Sequence, residues 1–377
     1  MKKVIGLLLI IISGIVLIFG IIYLLKSNYI TKSPTYDLEV YSKTKLYDLV
    51  KDADENMEID TSKLGKYNLD YESNGETKRI YINVVDTTPP TVMLYNNYNH
   101  IIGTNFTIYS DTVCVDNYDK KPKCEVIGDY DLNTLGSYKV KFRASDSSNN
   151  VYERSFNLNV VEKTTPEKVY MSFEEVKERV NKEGGKLLID VSKWEPNIDW
   201  KKVKESGIDY AFIRVGTEKY STGELIEDPY FEKFYKEATN NGIKVGVYFF
   251  TYAKDKETIL KHADFVLEHI KGKDIELGVA LDWECWDLFN DMSISIHDLN
   301  DLAQAFIDKI EANGYKTLLY SSKNYLETVW KVDTDIWLAH YTKETNYKKD
   351  KLIWQFSANG IIPGIKQDVD VNVYYGN

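Results

Sequence analysis

The chain is poor in cysteine, in histidine and in clustered basic residues, and each shortage excludes a class of function. It contains three cysteines and five histidines in 377 residues. Neither type recurs at a metal-binding spacing, so the sequence predicts no metal and no cofactor. The formal net charge is −11, and Lys and Arg form no basic stripe. Nucleic acid is therefore not expected as a partner, because phosphate binding requires clustered cations.

Long apolar runs are scarce too, but one lies at the N-terminus. Residues 4–25 carry no charge and follow Lys2 and Lys3. A membrane span needs roughly 20 apolar residues, whereas the apolar part of a cleaved signal peptide is about 7–15 long. We therefore expect residues 1–25 to be a transmembrane signal anchor, with a cytoplasmic N-terminus and the remainder outside the cell. The alternative is a cleaved signal peptide and a secreted protein.

The cysteines fit an exported chain. Cys114 and Cys124 flank the polar turn DNYDKKPK. They either form a cross-strand disulfide, which requires Cα atoms within about 7 Å, or remain free thiols. We predict the disulfide. Cys285 has no partner at a recognisable spacing and is expected to be a small buried residue.

Two stretches of the N-terminal half repeat one pattern. Residues 64–90 and 135–166 each contain LGxY, an alternating strand, a polar turn, a second strand ending in NVV, and a Thr-Pro exit. Such alternation is typical of β-sandwich modules, and the repeat resembles the immunoglobulin-like modules of bacterial surface proteins. We predict a linker at 26–36, a partial module at 37–86 and a second module at 87–162. They serve either as a passive spacer or to bind wall polymer or a partner.

After a linker or helix at 163–184, apolar strand-like runs alternate with helical patterns. Several runs are continuously apolar, as in a parallel sheet covered on both faces, and the helical segments end in Gly. Residues 185–377 are predicted to form an α/β barrel of the TIM type with fewer helices than strands. The predicted strands are 186–192, 210–216, 244–251, 276–284, 317–322, 335–341, 352–358 and 369–375, and the predicted helices are 228–242, 256–272 and 297–314.

Acidic residues recur at strand ends, where barrel enzymes hold their reactive groups. The first strand reaches Asp190, the fourth ends in Asp282 and Glu284, and the last begins near Asp370. Asp282 and Glu284 are two residues apart, so both point to one face of an extended strand, with Trp283 opposite. Acids this close oppose joint ionisation, and one can donate a proton while the other stays anionic. Glycoside hydrolysis requires such a pair.

Aromatic residues near the same strand ends favour sugar binding, because ring faces pack against the C–H faces of pyranoses. Taken singly, each ring could equally be a core residue. The predicted substrate-binding residues are Tyr248, Phe250, Trp283, Trp337, Tyr341, Trp354 and Arg214.

The region from about 185 to 377 resembles the family 25 glycoside hydrolases, lysozymes also called N-acetylmuramidases. The resemblance implies cleavage of the β-1,4 bond between N-acetylmuramic acid and N-acetylglucosamine. Glu284 would be the general acid, and Asp282 would act as base or orient the 2-acetamido group. Asp190 and Asp370 would position the sugar. The matching motifs are IDVSKWEPNIDW (189–200), YAFIRVG (210–216), GIKVGVYFF (242–250), ALDWE (280–284), WLAHY (337–341) and WQFSANGIIPGIKQDVDVN (354–372).

These features predict a membrane-anchored extracellular peptidoglycan hydrolase for wall remodelling or lysis. Its partners would be the glycan strands of the wall and the membrane. The alternative is a non-catalytic adhesion protein whose barrel only binds wall glycan. The complete set of four acids argues against that alternative.

Overall fold

The structure is a computed structural model that describes residues 33–165 and 167–376. It divides into two compact units, residues 1–87 and 88–377. The run predicted as a transmembrane helix, residues 4–25, lies outside the described residues. Within the described ranges, every helix is too short or too polar to cross a membrane.

The first unit contains a three-stranded mixed sheet. Its last strand is central and pairs antiparallel with the second strand and parallel with the first. Alternation along this central strand buries Ile80, Ile82 and Val84. The prediction of an immunoglobulin-like module at 37–86 is wrong, because the described part of this unit holds one small sheet with no second sheet packed on it. The elements are β1 (Thr35–Glu39), α1 (Leu46–Leu49), β2 (Gly65–Ser73) and β3 (Glu76–Val85).

Residues 91–161 form what we call the β module. A four-stranded sheet in the order β5-β9-β8-β7 lies with a two-stranded sheet, β4-β6, around a core that includes Phe142, Phe156 and Leu158. A disulfide joins Cys114 to Cys124, with Cα atoms 6.6 Å apart. The elements are β4 (Thr91–Met93), β5 (Asn97–Ile101), α2 (Ile108–Asp111), β6 (Val113–Val115), β7 (Lys123–Ile127), β8 (Gly136–Ser145) and β9 (Val151–Val161).

The β module also differs from the predicted immunoglobulin-like sandwich. Its two sheets have four and two strands, whereas an immunoglobulin domain packs two antiparallel sheets with at least seven strands in all. The sequence repeat nevertheless has a structural counterpart. In both β2–β3 and β8–β9, a hairpin is completed by a strand that pairs in parallel with its second strand.

The rest of the second unit is a closed eight-stranded barrel with helices outside. The strands follow the order β10-β18-β17-β16-β15-β14-β13-β11, β10 also pairs with β11, and β12 extends β11 as a hairpin. The elements are α3 (Phe173–Glu183), β10 (Lys186–Val191), α4 (Trp200–Glu205), β11 (Tyr210–Lys219), β12 (Glu224–Glu227), α5 (Phe231–Asn240), β13 (Lys244–Phe250), α6 (Lys256–Ile270), β14 (Val279–Asp282), α7 (Phe289–Met292), α8 (Ile296–Glu311), β15 (Thr317–Ser322), α9 (Lys323–Thr328), β16 (Asp335–Ala339), β17 (Ile353–Gly360) and β18 (Val369–Tyr374).

The last strand corrects the predicted TIM-type barrel. Seven barrel strands are parallel, but β18 is antiparallel to both of its neighbours, β17 and β10. A parallel return would need a crossover of about a dozen residues or more. Residues 361–368 are too few for one, so the chain turns back directly and the barrel closes on an antiparallel strand.

The β module packs against the loop that follows β14. The side-chain amide of Asn290 donates to the carbonyl oxygens of Tyr109 and Thr112 at 2.8 and 3.2 Å, and its oxygen accepts from the Cys114 backbone N–H at 3.2 Å. Val113 and Val115 belong to the same buried apolar cluster as the outer layer of the barrel. The module and the barrel therefore share a core.

Candidate active site

A cleft of about 180 Å³ opens where the parallel barrel strands end, and the predicted acids line it. Strand pairing sets their positions. Asp190 on β10 lies opposite Asp370 on β18. Asp282 at the end of β14 is aligned with Phe250 on β13 and Tyr320 on β15. Side chains from distant parts of the chain thus meet at one end of the barrel, the usual place for an active site in such folds.

Asp190 is held by two amides on the antiparallel pair. Its Oδ2 accepts from Gln355 Nε2 at 3.0 Å and from Asn372 Nδ2 at 2.8 Å. All three side chains are buried. Burial raises the pKa of Asp190 to about 6, although the two amide hydrogen bonds favour its anion. The carboxylate is therefore fixed in direction and readily changes charge near neutral pH.

Asp282 and Glu284 lie within hydrogen-bond reach of each other. Asp282 is 6% exposed, and its Oδ1 has no hydrogen-bond partner among the described residues. Solvent reaches Glu284 at the rim, yet protein groups surround its carboxyl. Burial raises the pKa of both acids, and the charge of Glu284 raises the pKa of Asp282 further. Such a pair retains one proton where ordinary carboxyls have lost theirs.

Asp370 and Glu195 add two more carboxyl groups to the same cleft. Burial raises the pKa of Asp370, and the charges of Asp190, Glu195 and Glu284 add to the effect. Burial also raises the pKa of Glu195 to about 7. A cluster of carboxyl groups whose ionisation is opposed favours a substrate or transition state with positive character, such as an oxocarbenium ion, because that charge offsets their repulsion.

The structure brings four of the seven predicted substrate-binding residues to the cleft. Tyr248, Phe250, Trp337 and Arg214 line it. Arg214 is already committed to an ion pair, because its Nη2 lies 2.7 Å from Asp228 Oδ2. Arg214 therefore stabilises the wall of the cleft through this ion pair and also lines the cleft.

The other three predicted residues lie elsewhere. Trp283 lies between the two acids in the sequence, so its side chain points away from the cleft. It is fully buried and packs against Trp286. Trp354 is also fully buried, and its Nε1 donates to the His340 carbonyl at 2.9 Å. Both rings are core residues. Tyr341 is exposed beside the cleft, and its hydroxyl donates to Gln355 Oε1 at 2.7 Å.

The predicted sites omitted Glu195 and Gln355, which line the cleft, and Asn372, which donates a hydrogen bond to Asp190. Glu195 lies in the loop after β10. Its position just beyond the end of a strand could have predicted that it lies in the cleft. Gln355 and Asn372 are polar residues within apolar strands. Their inward direction became visible only once the pairing of β17 with β18 and of β10 with β18 was known.

Glu195→Gln is expected to stabilise the protein above neutral pH. Between its ordinary pKa of 4.5 and its folded value of about 7, the folded state holds a proton that the unfolded state has lost. Stability therefore falls as pH rises through this window. The Gln variant has no such proton to lose, so its free energy of unfolding at pH 8 should be higher than that of the parent chain by on the order of 2 kcal/mol. Chemical denaturation of both chains at pH 4 and pH 8 measures it.

The matched control for this prediction is Glu268→Gln, which changes an exposed glutamate on α6. It should leave the pH dependence unaltered. An equal effect of Glu195→Gln at pH 4 and pH 8 would show that Glu195 does not retain its proton in the folded protein.

Part of the chain is similar to known proteins. Residues 189–365 match the family model described as Glycosyl hydrolases family 25. An uncharacterized protein of Escherichia coli K12, YegX, is 28% identical over 199 residues, which are 50% of this chain and 69% of that protein. The autolytic lysozyme of Clostridium acetobutylicum is 25% identical over 191 residues, 49% of this chain and 55% of that protein. A family 25 glycosyl hydrolase from Bacillus anthracis aligns at 25% identity with a TM-score of 0.44, over 51% of this chain and 89% of that one.

The paired acids, the acidic cleft and the family match define the class of the barrel: it is a glycoside hydrolase domain. Residues 189–365 resemble the family 25 enzymes of that class, and the relative from Clostridium acetobutylicum is a lysozyme by name.

Proposed function

We propose that the protein is an extracellular peptidoglycan hydrolase that cleaves the β-1,4 bond between N-acetylmuramic acid and N-acetylglucosamine. The observation that carries this proposal is the pair of acids, Asp282 and Glu284, that line the cleft at the end of β14 in a region that matches family 25. The relative from Clostridium acetobutylicum, a lysozyme by name, supports the choice of substrate.

Glu284 is the general acid in this proposal. It lies at the rim, where a glycosidic oxygen can approach. Because it is within hydrogen-bond reach of Asp282, the two carboxyls lie on the same side of the scissile bond. A water molecule attacking from the opposite face of the sugar would need a separation of about 6.5–9.5 Å between acid and base. Asp282 therefore does not serve as the base for such a water.

Asp282 instead orients the substrate. Its Oδ1, buried and without a hydrogen-bond partner among the described residues, accepts the N–H of the 2-acetamido group of the sugar. Leaving such an oxygen unpaired costs about 1–3 kcal/mol, which the bound substrate removes. Asp190, fixed by its two amides, and Asp370 stabilise the positive charge that develops on the sugar ring.

The test is the chemical nature of the products. The full chain is incubated with purified cell wall, and the soluble fragments are reduced and analysed by mass spectrometry. New reducing ends on N-acetylmuramic acid support the proposal. New reducing ends on N-acetylglucosamine would assign the enzyme to the opposite bond, and wall binding without new ends would make the barrel a glycan-binding module.

We further propose that the protein is exported and retained at the outer face of the cell membrane. The uncharged run of residues 4–25, preceded by Lys2 and Lys3, and the disulfide between Cys114 and Cys124 support this location, because disulfides persist outside the reducing cytoplasm. Fractionation of cells tests it. Recovery from the medium as a chain that starts near residue 26 would indicate secretion after signal cleavage.

A further inference from the structure

A second, larger cleft lies beside the catalytic one, and we call it the outer cleft. Its volume is about 600 Å³, within the range of about 300–1,000 Å³ that is usual for ligand sites. One wall comes from the segment before the first barrel strand, including Tyr170 and Arg179. The other comes from β17 and the loop after β16, including Tyr341 and Phe356. The first wall lies outside residues 189–365, so the family match does not account for it.

Tyr341 connects the outer cleft to the catalytic cleft. Its side chain lines the outer cleft, while its hydroxyl donates to Gln355 Oε1 at 2.7 Å. Gln355 lines the catalytic cleft and donates to Asp190. A polymer that extends past Asp190 on this side therefore meets the ring of Tyr341 and then the outer cleft.

The walls of the outer cleft are fixed before any ligand binds. Met171 exchanges two backbone hydrogen bonds of 2.9 Å with residues 359 and 361. Arg179 Nη1 donates to the Thr342 carbonyl at 2.7 Å, and Lys182 forms an ion pair with Glu344. Rigid walls lower the conformational entropy that the protein loses when a ligand binds.

Two tyrosines expose their rings at the outer cleft. Tyr170 is 53% exposed and Tyr341 is 56% exposed. Lys168 orients the first ring, because its Nζ lies 5.4 Å from the ring centroid and 2.6 Å from Asp368 Oδ2. Exposed aromatic groups around a concave surface indicate a binding site, and ring faces suit the C–H faces of sugars.

The charges of the outer cleft identify its occupant. Its lining includes three cationic and three acidic side chains, so no net charge attracts a charged peptide. The lining residues concerned are Arg179, Lys182, Lys343, Glu175, Glu178 and Glu344. A glycan with apolar ring faces, many hydroxyl groups and few charges fits this surface better than a highly charged peptide does.

We propose that the outer cleft binds N-acetylated sugars of the same glycan strand, beyond those at the cleaved bond, with Tyr170 as a stacking platform. The proposal rests on the proposed function, since the strand is the substrate of the catalytic cleft. The outer cleft gives the enzyme a preference for long glycan strands over short fragments.

Calorimetric binding in the Glu284→Gln background tests the outer cleft, because that variant is expected to cut glycan about 10³-fold more slowly. The ligands are peptide-free wall glycan fragments of four and eight sugars, and the quantity measured is the ratio of their affinities. We expect the eight-sugar fragment to bind more tightly, and we expect Tyr170→Ala to reduce the ratio about fivefold, the worth of one ring contact. Tyr170→Phe retains the ring and should retain the ratio.

Tyr81→Ala is the matched control, since Tyr81 is 40% exposed on β3, and it should leave the ratio unchanged. Thermal unfolding checks that each variant folds. The proposed role of the outer cleft would be refuted if Tyr170→Ala left the ratio unchanged, or if both fragments bound with equal affinity. Either result would leave the proposed function in place. Failure of both fragments to bind would overturn the proposed function and the outer cleft with it.

Discussion

Glu284→Gln is expected to reduce the rate of wall hydrolysis about 10³-fold. Glutamine keeps the shape and the hydrogen bonding of the side chain but has no proton to give to the leaving oxygen, and general acid catalysis contributes about 10²–10⁴-fold. Release of reducing sugar from purified wall, measured at saturating and at limiting substrate, gives kcat and kcat/KM. Both should fall together, because the proton is needed only in the transition state.

The control is Glu257→Gln, which makes the same chemical change at an exposed position on α6. It should match the parent chain. If Glu284→Gln kept more than a tenth of the parent activity, Glu284 would not be the proton donor, and Asp282 would be the next candidate for that role.

Asp282→Asn is expected to lower kcat about 10²-fold and to move the alkaline limit of activity to higher pH. Two effects combine. The amide no longer offers a carboxyl oxygen to the acetamido N–H. The substitution also removes the carboxyl whose interaction lowers the pKa of Glu284, so that Glu284 keeps its proton to higher pH. The pH profile of kcat measures the shift.

Asp287→Asn serves as its control. Asp287 is an exposed aspartate in the loop that follows the pair, and it lines neither the catalytic cleft nor the outer cleft. Its pH profile should match that of the parent chain. An Asp282→Asn enzyme that kept the parental alkaline limit would show that the two acids titrate independently of each other.

The local elements of the barrel could be predicted because their signals are local. Each of the eight apolar runs corresponds to an observed strand. The errors lie at the ends. The helix predicted from 228 begins at Phe231, because the Asp228 carboxylate accepts from Arg214 and from the Lys193 N–H. The strand predicted from 276 begins after Gly278, whose φ of +94° is not extended.

What the sequence could not predict depends on contacts between distant residues. Asp190 and Asn372 meet only because β10 pairs with β18, and nothing in either segment states the direction of that pairing. The same holds for Trp283, which carries the aromatic character of a sugar-binding residue and is instead a core side chain. Asp190, Asp282 and Glu284 were predictable because the ends of parallel barrel strands converge. Asp370, near the start of its strand, reaches the same cleft only because β18 is antiparallel.

Because the β module packs against the barrel, the two must be kept together when the enzyme is fused to another protein or exchanged between proteins. A barrel cut free from the module would expose the apolar surface that now covers Val113 and Val115. It would also release Asn290 from three backbone partners in the loop that follows the catalytic pair. The exchangeable unit is therefore residues 88–377. A chimera that carries this enzyme to another surface should be joined ahead of Thr88, not at the first strand of the barrel.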